Sequence, residues 1–466
     1  MASGGVTDYV VARAEEAGLR LLRFLYCDPD GLIRGKASGM SGLARRLEAG
    51  IGLTVAMQAM SMLDQLIPVE GMGPVGEIRL VPDPATFVVL PYAPATGAVL
   101  VDMTMLDGAP YAADGRGFLR RMTDRAAGLG LEIVAAFEPE WSLARLSGDA
   151  YVPVDESTCF STVGMAAAAD VIDDIVAALE AQGMAVEQYY PELGWGQQEL
   201  SIAHAPALQA ADNHILYRET VRAVCLRHGL HASFAPKPWP DQAGNGCHLH
   251  LSAWNDGRTE NLFRDSPDAP GDPGAPGAAA GPSGLSQLGR QFVAGVLDHL
   301  PALVALTCAS VNSYRRLQPH TWSSAYRAWG PDNREAAVRV PSPLRGAEEA
   351  STNIELKAAD SSANPYLALG GLIAAGLDGI DRASELPPPV LVDPGSLSDA
   401  ERAKLGAVRL PSTLGEALAS LRQDMVLTEA LGAPLLEAYL AVKEADIAAF
   451  GGQDDAFEFR QHFYRY

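Results

Sequence analysis

Five stretches of this 466-residue chain carry side chains whose types and spacing could do chemistry together. In Phe137-Glu138-Pro139-Glu140-Trp141 two acids end an apolar run. Alternate strand residues share a face, so Glu138 and Glu140 would project side by side, and carboxylates so placed repel unless a cation lies between them. A second pair, Glu192 and Glu199, spans Gly194 and Gly196, which let a loop turn tightly enough for both acids to face one point. In the run Gly244 to Ser252, a glycine turn feeds a strand on which His248 and His250 share a face. One imidazole can join a carboxylate cage, whereas two histidines alone would more often suggest zinc. Arg315 and Arg316, then Arg334 and Arg339, are guanidiniums able to hold carboxylate or phosphate groups bidentately. Glu355 and Lys357 add an acid and a base at alternate strand positions.

Oxygen-rich ligand sets of this kind suit Mg²⁺ or Mn²⁺, and with arginines nearby they suit phosphoryl transfer. Taken singly, each stretch has a plainer alternative: a solvated strand end, an exposed acidic loop, structural histidines or surface ion pairs.

The composition narrows the partners. Acids outnumber bases 57 to 35, a formal charge of −22, so a phosphate backbone or an anionic bilayer is repelled on average, and neither nucleic acid nor membrane is expected as a partner. The longest nearly charge-free apolar run, Asn364 to Leu377, is shorter than the ~20 residues of a bilayer span, and residues Met1 to Arg13 lack the apolar segment of a secretory signal. A cytoplasmic protein is expected. Five scattered cysteines without a Cys-x-x-Cys pair indicate neither a disulfide framework nor a thiolate zinc site.

Positioning these groups takes two units of an α+β chain. Short β-like runs separated by turns (Leu19 to Tyr26, Leu32 to Lys36, Glu77 to Val81, Phe87 to Leu90, Ala98 to Met103) predict a small domain over 1–110. Longer helices and strands then predict a larger domain over 111–466, beginning with a helix over Gly117 to Gly128 and a strand over Leu131 to Phe137. Helix ends are signalled by Gly229, by Asn364-Pro365 and by Thr413-x-x-Glu416, which reads as a capping box. Asp265 to Gly284 holds five prolines and five glycines and is expected to be a surface loop or lid.

Taken in order, Phe137 to Glu140, Glu192 with Gly196 to Glu199, Phe234 to Pro238, Gly246 to His250, Asn312 to Arg316, Asn333-Arg334 with Arg339, and Ala363 to Tyr366 resemble the glutamine synthetases, in particular the bacterial type I branch. The resemblance implies an N-terminal β-grasp domain and a catalytic domain with a curved antiparallel sheet. It also implies active sites between subunits of stacked hexameric rings, a homo-dodecamer. Carried over by position, Glu140, Glu192 and Glu199 would ligate one metal, and Glu138, His248 and Glu355 the other. Arg316 and the Gly244 backbone would clamp the substrate glutamate, Arg334 and Arg339 would act catalytically on the phosphate side together with Lys357, and Ser252 would contact ATP. The implied reaction phosphorylates the γ-carboxylate of glutamate with ATP and lets an amine displace the phosphate.

Three positions depart from that pattern. Where the family carries a flap glutamate, six residues after the arginine matched to Arg316, this chain has Trp322. Where the family has an Asp-Gly-Ser-Ser loop that helps to hold ammonium, it reads Val55 to Met62, with Met57 near its centre; Asp64 could substitute only by a register shift. Lys357 replaces a usual arginine, a point charge for a planar fork. A lining of Met57 and Trp322 suits the carbon part of an organic amine better than ammonium. The expected activity is therefore glutamate–amine ligation. Ammonia-using glutamine synthesis and a non-catalytic scaffold are the alternatives. With no acid identifiable beside Trp322 or Met57, small monoamines are ranked ahead of polyamines.

Overall fold

The computed structural model describes residues 3–265 and 284–466, so all but the two ends of the breaker-rich segment expected as a loop or lid lies outside the described residues. In the N-terminal part, strands Leu21–Cys27 and Ile33–Gly39 form a hairpin around the turn Asp28 to Gly31. Leu21–Cys27 also pairs in parallel with Thr96–Thr104, which takes Glu77–Pro82 and, through it, Ile51–Thr54. This is the β-grasp arrangement, a mixed sheet with the helix Leu43–Ala49 packed on it.

Strand periodicity explains why these segments are apolar on both faces. Leu22, Phe24, Tyr26, Val99, Val101 and Met103 fill a small N-terminal core, whereas Leu25, Cys27, Ala98 and Leu100 face the large core of the rest of the chain. The sheet is thus sandwiched between its own helices and the catalytic part.

The second part is built on one long strand, Glu132–Ser147. The sequence predicts this strand over Leu131 to Phe137; it runs on through Pro139, which cannot donate to a ladder. It continues because its partner in register, Cys247, gives its own N–H to the Ala359 carbonyl at 3.1 Å, and the Glu140 N–H resumes the ladder at the Gly246 carbonyl at 2.9 Å. Across the sheet the described strands run Val408–Arg409, Tyr326–Pro331, Ala336–Val340, Ile354–Leu356, Cys247–Trp254, Glu132–Ser147, Gln197–Ile202 and Val186–Pro191. Most neighbours are antiparallel; Tyr326–Pro331 and Ala336–Val340 are parallel.

Helices cover the other side of the sheet. Pro365–Asp381 contains the apolar run noted above and is buried nearly all round against Gln287–Thr307, as a helix without a polar face must be. Among the described residues no single helix is long and apolar enough to cross a membrane. The Asn364 side chain caps Pro365–Asp381 by accepting the Tyr366 and Leu367 N–H groups. At Thr413 the cap forms, but Glu416 reaches back to the Ser412 N–H at 2.7 Å and not to that of Thr413, so the expected box is only half made.

The two parts are joined by the turn that opens the first hairpin. Asn364 Nδ2 donates to the Asp28 carbonyl at 3.0 Å, Arg218 Nη1 to the Gly31 carbonyl at 3.0 Å, and Tyr466 Oη to the Asp30 carbonyl at 2.9 Å. A Cβ on Gly31 would lie 2.3 Å from the Ser362 carbonyl oxygen, so only glycine fits at this docking point.

Candidate active site

Sheet register brings the sequence-distant acids into one rank. Glu199 stands opposite Glu140, Glu138 opposite His248, and Glu355 opposite both His250 and Arg339. Because these positions share a face, five strands contribute to a single patch. The two acids of the Phe137–Trp141 run project together, as their spacing requires.

At the centre, His248 Nδ1 lies 3.2 Å from Glu138 Oε2 and 3.1 Å from Glu355 Oε1, while His250 Nε2 lies 3.3 Å from the same Glu138 oxygen. Arg339 Nη1 donates to Glu355 Oε2 at 2.7 Å, and Lys357 Nζ sits 3.5 Å from Glu355 Oε1 and 3.3 Å from His248 Nε2. On the other side, Glu140 Oε2 accepts from Gln197 Nε2 at 2.7 Å and from the Gly246 N–H at 2.9 Å. Tyr190 donates its hydroxyl to Glu199. Glu192 accepts from the Leu193 N–H at 2.9 Å, with the Cys159 thiol 3.8 Å away.

The patch is electrostatically two-sided. Burial would raise Glu138 and Glu355, but the imidazoles hold Glu138 well below the usual carboxylate range, and Lys357 and His248 do the same for Glu355. Burial would lower His250, yet Glu138 raises it to about 9. On the opposite side burial, Glu138 and Glu140 push Glu199 up to about 10, and burial and Glu140 also raise Glu192. These raised acids are buried carboxylates short of positive charge. Donor atoms of Glu138, His250 and Glu355 lie within 4.8 Å of one another, close enough to share an ion. Carboxylates with a single imidazole fit Mg²⁺ or Mn²⁺ better than a soft metal.

Arg316 lies beside this cluster, buried, with Nη1 donating to the Ala359 carbonyl at 3.1 Å. Its neighbour Arg315 is instead held by Glu458 and Asp455 of the C-terminal helix. Two glycines let the loop pass under Arg316: a Cβ at Gly244 would meet Arg316 Cγ at 2.8 Å, and one at Gly246 would meet Arg316 Nη2 at 2.6 Å, His248 Nε2 at 2.9 Å and Glu140 Oε1 at 3.1 Å. Gly246→Ala is therefore expected to fold and to lose about 100-fold in kcat/KM for glutamate, the cost of displacing reacting groups by about 1 Å, as steady-state kinetics will show.

Other sequence-predicted residues lie apart from this cluster. Arg334 is exposed on the turn before Ala336–Val340. Ser252 is buried further along its strand and accepts from Trp254 Nε1 at 2.9 Å. Met57 packs on the N-terminal core, and Asp64 pairs with Arg34 at 2.9 Å. Trp322 is 64% exposed at the tip of its loop.

Sequence reasoning missed His250 as a donor and Gln197 and Tyr190 as supports. The first two stand inside quoted motifs on the correct strand faces, which was the available signal. It also missed an acid at the loop tip: Glu335 Oε1 accepts the Trp322 N–H at 2.8 Å. The statement that no acid lies beside Trp322 is thus corrected. The contact arises from a loop folding onto a turn 13 residues away, which spacing does not reveal.

Comparisons with known proteins agree with this geometry. Residues 112–462 match the family model described as glutamine synthetase, catalytic domain, and residues 6–111 the glutamine synthetase N-terminal domain. The γ-glutamylpolyamine synthetase GlnA3 of Streptomyces coelicolor is 40% identical over 92% of this chain and 90% of its own length. The glutamine synthetase of Mycobacterium tuberculosis is 32% identical over 98% of each chain. Among solved structures, a novel glutamine synthase homologue superposes with a TM-score of 0.83 at 33% identity, covering 96% of this chain and 99% of the other. A GmaS/ADP complex gives 0.83 at 30% identity, covering 97% and 98%. With its acids, histidines and basic side chains assembled on a sheet of this topology, the chain belongs to the glutamine synthetase family and is a ligase.

Proposed function

We propose that the protein joins the γ-carboxylate of L-glutamate to a primary organic amine at the expense of ATP, through γ-glutamyl phosphate. The observation that carries this reading is Trp322: where the family's flap glutamate would stand, this chain has an exposed indole at a loop tip, while the acids, imidazoles, arginine and lysine of the cluster are all present. An apolar ring is a poor partner for ammonium in water but can cover an amine's carbon chain and face its cationic head.

Glu140, Glu192 and Glu199 are assigned to one divalent cation, and Glu138, His248 and Glu355 to a second, with His250 close enough to share it. When bound, these ions neutralise charge on the transferring phosphoryl group. Arg316, packed against the Gly244–Gly246 loop, holds the substrate carboxylate. Arg339 and Lys357 are positioned to stabilise phosphate charge, with Arg334 closing from the turn and Ser252 contacting the nucleotide. Met57, which packs on the N-terminal core, is assigned to the amine side across a subunit boundary, in the homo-dodecameric ring assembly that the family resemblance implies.

The sequence alone ranks monoamines first, but the name of the Streptomyces relative puts polyamines ahead of them. The test is glutamate-dependent phosphate release from ATP and Mg²⁺, with product mass, comparing ammonium, ethanolamine, isopropylamine, aniline, putrescine and spermine. Turnover with an amine and little with ammonium supports the reading. Ammonium as the best nucleophile replaces it with glutamine synthesis. Trp322→Glu, which restores an acid at the loop tip, is expected to shift the amine-to-ammonium ratio of kcat/KM toward ammonium by about tenfold, the effect of one charge contact.

A further inference from the structure

The loop that carries Trp322 is held in a conformation its sequence does not favour. His320, Trp322 and Ser324 have φ values of 60°, 56° and 66°, a left-handed region that side chains other than glycine rarely adopt. Such strain persists only where surrounding contacts dictate it, and here each of the three residues is tied to the scaffold. His320 Nδ1 lies 2.7 Å from Asp393 Oδ2, the Trp322 N–H donates to Glu335 Oε1 at 2.8 Å, and Ser324 Oγ donates to the Arg334 carbonyl at 3.3 Å. Two of the three ties end on consecutive residues, Arg334 and Glu335. That turn is itself fixed, since the Glu335 N–H donates to Asn333 Oδ1 at 3.0 Å and Asn333 Nδ2 donates to the Val390 carbonyl at 2.7 Å.

Glu335 is 8% exposed, an unusual place for a carboxylate whose one partner here is a backbone N–H. Burial raises its pKa, opposed by the Trp322 N–H and, more distantly, by His320 and Lys357.

We propose that Glu335 is a positioning residue for amine selectivity: by holding the Trp322 backbone from the turn that carries Arg334, it sets the indole over the amine side and ties that placement to the phosphate side. The inference rests on the amine-ligase reading above. Glu335 acts through Trp322 and needs no contact with substrate. A hydrogen-bond acceptor at position 335 is what the loop requires, so a glutamine there serves and an alanine does not.

The test compares wild type, Glu335→Gln, Glu335→Ala, Trp322→Ala and the Glu335→Ala/Trp322→Ala double variant, measuring kcat and KM for ATP, glutamate, the best amine and ammonium. Glu335→Ala is expected to raise the amine KM and to lower the amine-to-ammonium ratio of kcat/KM at least tenfold, with the ATP and glutamate KM values within twofold. Glu335→Gln should recover most of the ratio, and the double variant should be no worse than Trp322→Ala alone. Acrylamide quenching, with Trp322→Phe subtracted to isolate the Trp322 signal, should show a freer indole in Glu335→Ala. An unchanged ratio, multiplicative losses in the double variant, or unchanged quenching would each overturn the proposal. A wild type that uses only ammonium would sink the amine-ligase reading while quenching still reports on the tie between Glu335 and Trp322, so the two failures are separable.

Discussion

Glu138→Gln will leave a folded protein that turns over glutamate and ATP on the order of 1000-fold more slowly. The exchange preserves volume and one acceptor oxygen but removes the charge shared by His248 and His250, each within 3.3 Å of the same Glu138 oxygen. Two consequences follow from that single charge. The proposed cation site, formed by donor atoms of Glu138, His250 and Glu355, loses one of its two carboxylates, and an ion bound there would contribute several kcal/mol of charge stabilisation to phosphoryl transfer. In the ion-free protein His250, which Glu138 raises to about 9, loses that support and shifts downward. At about 1.4 kcal/mol per tenfold, a loss of roughly 4 kcal/mol at the transition state gives the stated factor. Stability should change by only about 1 kcal/mol, because the hydrogen bond to one histidine can persist. Steady-state kinetics over a Mg²⁺ titration, with unfolding measured in parallel, checks both parts. A variant within tenfold of wild type at saturating Mg²⁺ would remove Glu138 from the reaction.

Much of this site was legible in the sequence because strand periodicity is a local rule. Glu138 with Glu140, His248 with His250, and Glu355 with Lys357 are each two residues apart, so their shared face follows as soon as the segment is read as a strand. Which pairs stand opposite one another was not legible, since register depends on contacts across more than 100 residues; His248 facing Glu138 is such a case. The long strand runs past the Phe137 end expected from the sequence because a tertiary contact, the diversion of the Cys247 N–H to Ala359, lets Pro139 sit in the ladder. Glu335 was invisible for the same reason, as nothing in its neighbours announces that a loop tip will fold back onto it. The strands and turns of the N-terminal part were found, but not the way the Asp28 to Gly31 turn is used. The sequence marks it only as a turn between two strands, and it is a buried plug.

That plug carries the second large effect. Lys443→Met is expected to destabilise the chain by about 3–5 kcal/mol, the cost of stranding a buried charge, because Lys443 Nζ lies 2.6 Å from Asp30 Oδ1 with both side chains fully buried. Asp28 and Asp446 crowd the same pocket, and burial with the charge of Asp30 raises Asp28 to about 6 and Asp446 well above its ordinary value. The sign follows from the direction. A carboxyl raised in the folded state stabilises it while protonated, so the contribution of Asp28 is complete below about pH 4 and is lost as the pH rises through about 6. Without the Lys443 ammonium, Asp30 and Asp446 lose the cation beside them while Asp28 keeps Arg34, so the gap between Lys443→Met and wild type should be wider at pH 8 than at pH 5. Denaturant unfolding at both values tests this, and Asp30→Asn combined with Lys443→Met should recover more than half of the loss, since the stranded charge is gone. An equal gap at the two pH values would mean that packing, not charge, holds the plug. The effect reaches the active site through backbone. The plug grips Asn364 and abuts Ser362, and a few residues earlier in the same segment the Ala359 carbonyl accepts from both Arg316 and the Cys247 N–H. Loosening the plug therefore loosens the segment that holds Arg316, the proposed clamp on glutamate, and Lys443→Met should raise the glutamate KM before it unfolds the chain.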